Sequence, residues 1–215
     1  MIVADKEIGL ARRVAETING EAWGIDLTDT ASLEGLRLDV DIVVNNAGFQ
    51  RVSAVEDFDP QDFREMWSVM VEAPFLLVRA ALPHMYAKGF GRVINISSIH
   101  GLRASPFKAG YVSAKHALEG FSKVVALEGG EKGVTSNCVN PGYVRTPLVE
   151  AQIEQQAKAH SIPSADVLVS VLLAKSAIKR LIEPEEVANL VTWLASEEAA
   201  MVTGASYAID GGWTA

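Results

Sequence analysis

The chain has 215 residues, of which 49% are hydrophobic and 21% are charged, and its formal net charge is −8. This length and composition are typical of one globular domain, here 1–215, with a sizeable core. The acidic charge argues against nucleic acid or an anionic membrane as the main partner. A single cysteine, Cys138, excludes an internal disulfide framework and suits the cytoplasm, which is the expected location.

Short apolar runs alternate along the chain with longer stretches of helical periodicity. The predicted strands are Ile2–Ala4, Ala22–Ile25, Asp41–Asn45, Arg92–Ser97, Val134–Asn140 and Ser206–Ile209. The predicted helices are Lys6–Ile18, Asp59–Lys88 (two helices, since Pro74 interrupts), Tyr111–Glu128 and Pro184–Ala195. No apolar run approaches the roughly 18 residues needed to span a bilayer. The alternation predicts an α/β fold: a doubly wound parallel sheet with helices on both faces.

The range 147–182 is the least regular part of the chain. It comes directly after the end of the fifth predicted strand. Such an excursion could be a pair of surface helices, but this position is also typical of lids over active sites. We favour a substrate lid over 147–182.

Three polar residues predict a catalytic site. Tyr111 and Lys115 are four residues apart in a predicted helix, so both side chains lie on one face. An ammonium beside a phenol lowers the phenol pKa, which would allow Tyr111 to act as acid or base near neutral pH. Ser98 ends the fourth predicted strand, and its hydroxyl could polarise a substrate oxygen at the same place.

The chain resembles the short-chain dehydrogenase/reductase family through five sequence blocks in the order typical of that family. These blocks are 45–48 (Asn-Asn-Ala-Gly), 95–98 (Asn-Ile-Ser-Ser), 111–115 (Tyr-Val-Ser-Ala-Lys), 140–146 (Asn-Pro-Gly-Tyr-Val-Arg-Thr) and 210–212 (Asp-Gly-Gly). The resemblance implies a Rossmann-type fold and a nicotinamide cofactor. It also implies that Ser98, Tyr111 and Lys115 are the catalytic residues, and that Tyr111 and Lys115 contact the cofactor as well.

The same resemblance implies further cofactor contacts. Asp5 matches the acid that binds the adenosine ribose, which favours NAD over NADP because a carboxylate repels the additional phosphate. Lys6 beside it weakens this preference, and a helix N-cap is the alternative role for Asp5 and for Asp26. The remaining implied contacts are Asp26 and Leu27 at the adenine, Asn46, Ala47 and Gly48 beneath the cofactor, and Pro141, Gly142, Val144 and Thr146 at the nicotinamide.

Further polar residues resemble those of the bacterial 3-hydroxybutyrate dehydrogenases. The resemblance implies that the substrate carboxylate binds among Gln50, His100, Lys108 and Gln152, with Tyr143 also at the pocket. A small hydroxy acid needs a cation and neutral donors at one end and the serine and tyrosine at the other. The predicted reaction is the NAD-dependent interconversion of 3-hydroxybutyrate and acetoacetate, or of a similar small hydroxy or oxo acid.

Two residues depart from the family pattern. Tyr143 stands where these enzymes commonly carry Trp, which could enlarge the pocket or add a polar rim. Met70 stands where the family usually has an Asn that orders water next to the lysine. A thioether cannot donate that hydrogen bond.

The family's first strand and its glycine-rich phosphate-binding turn have no counterpart in the sequence. In the usual strand order the missing strand is central, so we expect the second and third family strands to be separated from the rest of the sheet. Either the native protein starts earlier than Met1, which we favour, or the short chain is real and binds the cofactor poorly.

Two alternatives to the predicted reaction stay open. One is a dehydrogenase for another secondary alcohol or ketone; the other is an inactive remnant or a non-catalytic subunit. The resemblance implies a homotetramer, in which Trp193 and Trp213 could lie at an interface or in the core. The four histidines are scattered without metal-ligand spacing, so no metal site is predicted.

Overall fold

The structure is a computed structural model that describes residues 1–147, 149, 153, 157 and 163–215. Its strands are β1 (Ile2–Asp5), β2 (Glu21–Gly24), β3 (Ile42–Asn45), β4 (Gly91–Ile96), β5 (Val134–Pro141) and β6 (Ser206–Ile209). Its α-helices are α1 (Ile8–Thr17), α2 (Pro60–Trp67), α3 (Ala73–Lys88), α4 (Ala109–Gly129), α5 (Ser164–Val167) and α6 (Pro184–Ala195). The predicted strands and helices are therefore confirmed, with ends that differ by at most two residues.

All strand pairs are parallel, and they form two separate sheets. One sheet has the order β3-β4-β5-β6, and the other consists of β1 and β2 alone. The expected separation of the first two strands is thus confirmed. Apolar side chains remain exposed at the two unpaired edges: Ile2 on β1 is 48% exposed and Val44 on β3 is 44% exposed. A groove of about 720 Å³ lies between β1 and β3, lined on one side by Ile2 and Ala4 and on the other by Val44 and Asn45.

Successive strand residues point to opposite sides of the larger sheet, so its apolar strands present apolar side chains on both faces. Helices cover both of these faces. On one face, Val93 of β4 packs with Val78 of α3 and Val125 of α4. On the other, the next residue of β4, Ile94, packs with Leu194 of α6. Strand β5 is buried along its whole length, as expected for a central parallel strand.

The helical stretch 60–88 is continuous but changes pitch. A π-helical turn, Ser68–Glu72, joins α2 to α3, and Pro74 lies in the first turn of α3. Proline has no N–H to donate to the preceding turn, so a local change of hydrogen bonding at this point is expected. The stretch is long and apolar enough to cross a membrane by length and composition, but half of its most apolar part is buried inside the protein.

Candidate active site

The strand ends place the predicted catalytic residues in one cavity. Ser98 follows β4, and Tyr111 lies in the first turn of α4. Both line a cavity of about 560 Å³, next to the end of β5. The carboxyl ends of parallel strands are where open α/β sheets bind their ligands.

The phenol of Tyr111 is held next to the Ser98 hydroxyl. Ser98 Oγ accepts a hydrogen bond from the His100 backbone N–H at 3.1 Å, which fixes the hydroxyl at the start of a 3₁₀ turn. Burial raises the pKa of Tyr111, and a hydrogen bond with Ser98 opposes this rise. The expectation that Lys115 lowers this pKa is therefore wrong for the structure as described. Tyr111 is protonated at neutral pH and is ready to act as a proton donor.

Lys115 points behind Tyr111, towards the end of β4. Its Nζ donates to the Ile96 carbonyl oxygen at 2.6 Å and lies 5.6 Å from the centroid of the Tyr111 ring. The side chain is buried, and burial lowers the pKa of Lys115 to about 8. The ammonium is therefore still the main form at neutral pH, but only by about one pH unit.

Met70 and Gly48 close the other side of Lys115. A Cβ built on Gly48 would lie 3.2 Å from Met70 Sδ and 3.7 Å from Lys115 Nζ, so glycine leaves space that another residue would fill. Met70 is 1% exposed. An apolar thioether thus lies near the lysine where the family pattern has an amide, and it provides no hydrogen-bond donor.

Most of the predicted carboxylate site lies in the same cavity as Tyr111. Gln50, His100, Lys108 and Tyr143 all line it. Lys108 Nζ lies 3.2 Å from His100 Nε2. Burial, and then the nearby charge of Lys108, lower the pKa of His100 to about 4, so the imidazole is neutral and Nε2 accepts a hydrogen bond from the lysine. Gln152 lies outside the described residues, as does much of the predicted lid.

The predicted cofactor residues divide between the groove and the cavity. Asp5, Asp26, Leu27, Ala47 and Gly48 line the groove between β1 and β3, and Pro141, Gly142, Val144 and Thr146 line the cavity. Asn46 lines both, so the two spaces are adjacent. Tyr111 lines the cavity, whereas Lys115 lies behind its wall.

The two aspartates accept hydrogen bonds from nearby backbone N–H groups. Asp5 Oδ1 accepts the Glu7 N–H at 2.8 Å, and Asp26 Oδ1 accepts the Thr28 N–H at 2.9 Å. The helix N-cap of α1 is Glu7, and Asp26 closes a turn in the loop after β2. Neither aspartate is therefore a helix N-cap residue. Both carboxylates remain at the surface of the groove.

The loop after β5 is held by backbone hydrogen bonds at two points. The Gly142 N–H donates to the Ile209 carbonyl at 3.0 Å, and the Arg145 N–H donates to the Ile182 carbonyl at 2.8 Å. A Cβ on Gly142 would lie 3.1 Å from the Cα of Asp210. The loop after β5 is thus fixed against the C-terminal segment on one side and against residue 182 on the other.

One wall of the cavity was missed by the sequence analysis. Helix α6 supplies it with Pro184, Val187, Ala188, Val191 and Thr192. A helix was predicted over Pro184–Ala195, but the sequence does not show which part of its surface faces a ligand cavity.

Comparisons with known proteins agree with this geometry. A family model described as enoyl-(acyl carrier protein) reductase matches residues 3–214. The D-beta-hydroxybutyrate dehydrogenase of Rhizobium meliloti is 49% identical over 81% of this chain and 68% of its own length. The protein of the same name from Cupriavidus necator is 41% identical over 89% of this chain and 77% of its own length.

Solved structures of dehydrogenases share the fold of this chain. A 4-hydroxyisoleucine dehydrogenase mutant complexed with NADH and succinate superposes with a TM-score of 0.85 at 28% identity, covering 99% of this chain and 87% of that one. A gluconate 5-dehydrogenase from Burkholderia cenocepacia in complex with NADP and tartrate superposes with a TM-score of 0.86 at 26% identity, covering 99% and 84%. The predicted Rossmann-type fold is thereby confirmed, with its first β-α unit lacking. Relatives of this fold bind either NADH or NADP, so a nicotinamide cofactor is supported without a choice between the two.

Proposed function

The chain belongs to the short-chain dehydrogenase/reductase family and is a dehydrogenase acting on a CH–OH group; we propose that its reaction is the NAD-dependent interconversion of 3-hydroxybutyrate and acetoacetate, or of a very similar small hydroxy acid. One observation carries this proposal. The Lys108–His100 pair lies in the same cavity as Ser98 and Tyr111. A cation for a carboxylate and a proton donor for an alcohol oxygen are therefore provided in a single space.

The geometry around Lys108 suits a carboxylate. His100 is neutral and accepts one of the three ammonium hydrogens, which leaves two for a ligand. Burial lowers the pKa of Lys108, so a bound anion would also stabilise its charged form. Gln50, on the same cavity wall, adds a neutral amide donor.

At the other end of the substrate, Ser98 and Tyr111 act on the alcohol oxygen. In the reduction direction, Ser98 holds this oxygen and the neutral phenol of Tyr111 gives it a proton. In the oxidation direction, the deprotonated form of Tyr111 takes the proton, and this form requires a pH above neutral because burial raises the pKa of Tyr111. A bound nicotinamide dinucleotide supplies the hydride acceptor or donor. Lys115 would bind its nicotinamide ribose, and the loop of Pro141, Gly142, Val144 and Thr146 would hold the nicotinamide. Asn46, Ala47 and Gly48 would lie beneath the cofactor, and Asp5, Asp26 and Leu27 would hold its adenosine half.

The groove provides only part of the surface that such a cofactor needs, since the family's glycine-rich phosphate-binding turn has no counterpart in residues 1–215. Gly48 leaves open a space that a side chain would fill, and the Asp5 carboxylate lines the same groove, where a ribose diol can donate hydrogen bonds to it. The same carboxylate would repel a phosphate on that ribose, which supports NAD over NADP. Lys6 lies in the same groove and makes this preference smaller.

A second candidate is the oxidation of an uncharged secondary alcohol. The apolar wall of α6 and the Tyr143 ring favour it, because they offer apolar contacts to an uncharged substrate. The two candidates differ in their dependence on Lys108, since only an acid needs the ammonium.

The test is NAD reduction by the purified chain with each enantiomer of 3-hydroxybutyrate and with an uncharged alcohol of equal size. We expect Tyr111→Phe to lose at least about a hundredfold in kcat, whereas Tyr86→Phe, which removes a phenol outside the cavity, keeps the activity. Lys108→Met should raise KM for the acid by roughly tenfold to a hundredfold, because a charge-assisted hydrogen bond contributes about 1.5–3 kcal/mol. Equal use of the acid and the alcohol, unaffected by Lys108→Met, would refute the acid proposal.

We also propose a cytoplasmic homotetramer. Exposed apolar residues on the long helices support an interface there: Phe75 on α3 is 47% exposed, and Val124 and Leu127 on α4 are 51% and 85% exposed. Trp193 is 39% exposed. Large apolar side chains left exposed in this way support contacts between subunits.

A further inference from the structure

Glu119 is a buried carboxylate that the proposed chemistry does not use. It lies on α4 one helical turn after Lys115 and is 5% exposed. Its Oε1 accepts a hydrogen bond from Asn140 Nδ2 at 2.6 Å, and its Oε2 accepts one from Ser206 Oγ at 2.6 Å. Among the described residues no ion pair includes it within 4.0 Å. Burying an unpaired carboxylate is costly, so this group calls for an explanation.

We propose that Glu119 is a positioning residue of the active site, which holds Ser98 in place through Asn140 and serves as the counter-charge that keeps Lys115 protonated. The roles of Ser98 and Lys115 in catalysis rest on the proposed function. The effects of Glu119 on the position of Ser98 and on the charge of Lys115 do not depend on the proposed function.

The link to Ser98 passes through one amide group. Asn140 is fully buried at the end of β5, and its Nδ2 donates to the Ser98 carbonyl oxygen at 2.9 Å as well as to Glu119. The two amide hydrogens are therefore both donated, one to the Ser98 carbonyl oxygen and one to the Glu119 carboxylate. Rotating the amide would direct its oxygen at two other oxygens, so the carboxylate fixes the orientation that supports Ser98.

The described partners of Glu119 suit an ionised carboxylate. The Asn140 amide, the Ser206 hydroxyl and the Cys138 thiol can all donate hydrogen bonds to it, and an ionised carboxylate only accepts. A Cβ on Gly101 would lie 2.9 Å from Glu119 Oε1, which shows that the carboxylate lies directly against the turn that follows Ser98. The negative charge is thus enclosed between α4, β5 and that turn.

Few other groups can act on the charge of Lys115. Tyr111 precedes it on α4, and its phenol is neutral at neutral pH; Met70 carries no charge. Burial lowers the pKa of Lys115, while Cys138 on β5 and then Glu119 oppose this effect. Burial raises the pKa of the Cys138 thiol, so that thiol is neutral under ordinary conditions. Among the described groups that act on Lys115, Glu119 is therefore the one whose negative charge would favour the ammonium.

A purely structural role is the alternative: Glu119 could only fasten α4 to β5 and β6. The two roles differ in one observable. A structural fastening affects stability, whereas a counter-charge also sets the pH at which Lys115 loses its proton.

The experiment is an NMR pH titration of Lys115 in protein labelled with ¹³C at the lysine Cε, for the unaltered chain, Glu119→Gln and the control Glu128→Gln. Glu128 is an exposed carboxylate on the same helix. We expect Glu119→Gln to move the Lys115 midpoint down by about one pH unit, as loss of a nearby opposite charge should, while Glu128→Gln leaves it unchanged. An unchanged midpoint in folded Glu119→Gln would overturn the proposal.

A second measurement covers the case in which Glu119→Gln does not fold. The Cδ shift of Glu119 in the unaltered, ¹³C-labelled chain reports its ionisation directly. An ionised carboxylate at neutral pH supports the counter-charge role, and a protonated one overturns it. Neither measurement requires turnover, so a negative result in the hydroxybutyrate assay would leave their interpretation unaffected.

Discussion

Acid should destabilise this protein through one buried histidine. His100 is 4% exposed, and its Nε2 accepts a hydrogen bond from Lys108. Protonation would place a second positive charge 3.2 Å from an ammonium inside the protein. Burial and this neighbouring charge lower the pKa of His100 to about 4, from an ordinary value of 6.5.

The size and direction of the effect follow from proton linkage. Between about pH 4 and pH 6.5 the unfolded chain binds a proton at His100 that the folded chain does not, so the free energy of unfolding rises with pH in this window. The contribution of a neutral His100 is complete above about pH 6.5 and is lost as the pH falls through about 4. Its full size is about 3 kcal/mol, and about 2 kcal/mol of it disappears between pH 7.5 and pH 5.

Urea unfolding at about pH 7.5 and pH 5 tests this reasoning. We expect the loss of stability on acidification to be about 2 kcal/mol smaller in His100→Gln than in the unaltered chain. His116→Gln, which removes an exposed histidine from α4, should leave the loss unchanged. The same acid loss in His100→Gln and in the unaltered chain would refute the reasoning, because carboxylates alone would then account for it.

Two further changes have predicted outcomes. Gly101→Ala should lower the free energy of unfolding by about 1–3 kcal/mol, because its Cβ would overlap Ser97 Oγ and approach Glu119. The matched control is Gly120→Ala, on a helix face where a Cβ meets nothing within 4 Å. This change should raise the free energy of unfolding by about 0.5–1 kcal/mol. Urea titration measures the free energy of unfolding of both variants. An equal loss of stability in Gly101→Ala and Gly120→Ala would contradict a steric overlap at Gly101. Leu127→Arg should reduce the mass seen by light scattering if the 85% exposed leucine lies at a subunit interface; an unchanged oligomer would exclude this face.

Local sequence patterns predicted the elements well because short apolar strands alternate with longer helical stretches. The ends of β6 and α6 were predicted to the residue, since turn residues and an N-terminal Pro184 define them. The change of pitch at Ser68–Glu72 was only partly anticipated. The sequence indicated a break at Pro74, but not that the chain would pass through it as one continuous helix.

The candidate active site was also predicted only in part. Motif order sufficed to bring Ser98, Tyr111, His100 and Lys108 to one cavity. The pKa of Tyr111 was predicted in the wrong direction, because spacing in a helix shows proximity to a cation but not the extent of burial, which dominates here. Glu119 was overlooked for a related reason: its partners come from β5 and β6, far away in sequence.

Transfer of deuterium from C3 of labelled 3-hydroxybutyrate to NAD, detected by mass spectrometry of the nicotinamide product, tests the central claim most directly. The account predicts that the purified chain transfers the label to the nicotinamide and that Tyr111→Phe reduces the rate at least about a hundredfold. Retention of the label on the hydroxy acid in the presence of NAD, or equal transfer by Tyr111→Phe, would contradict it.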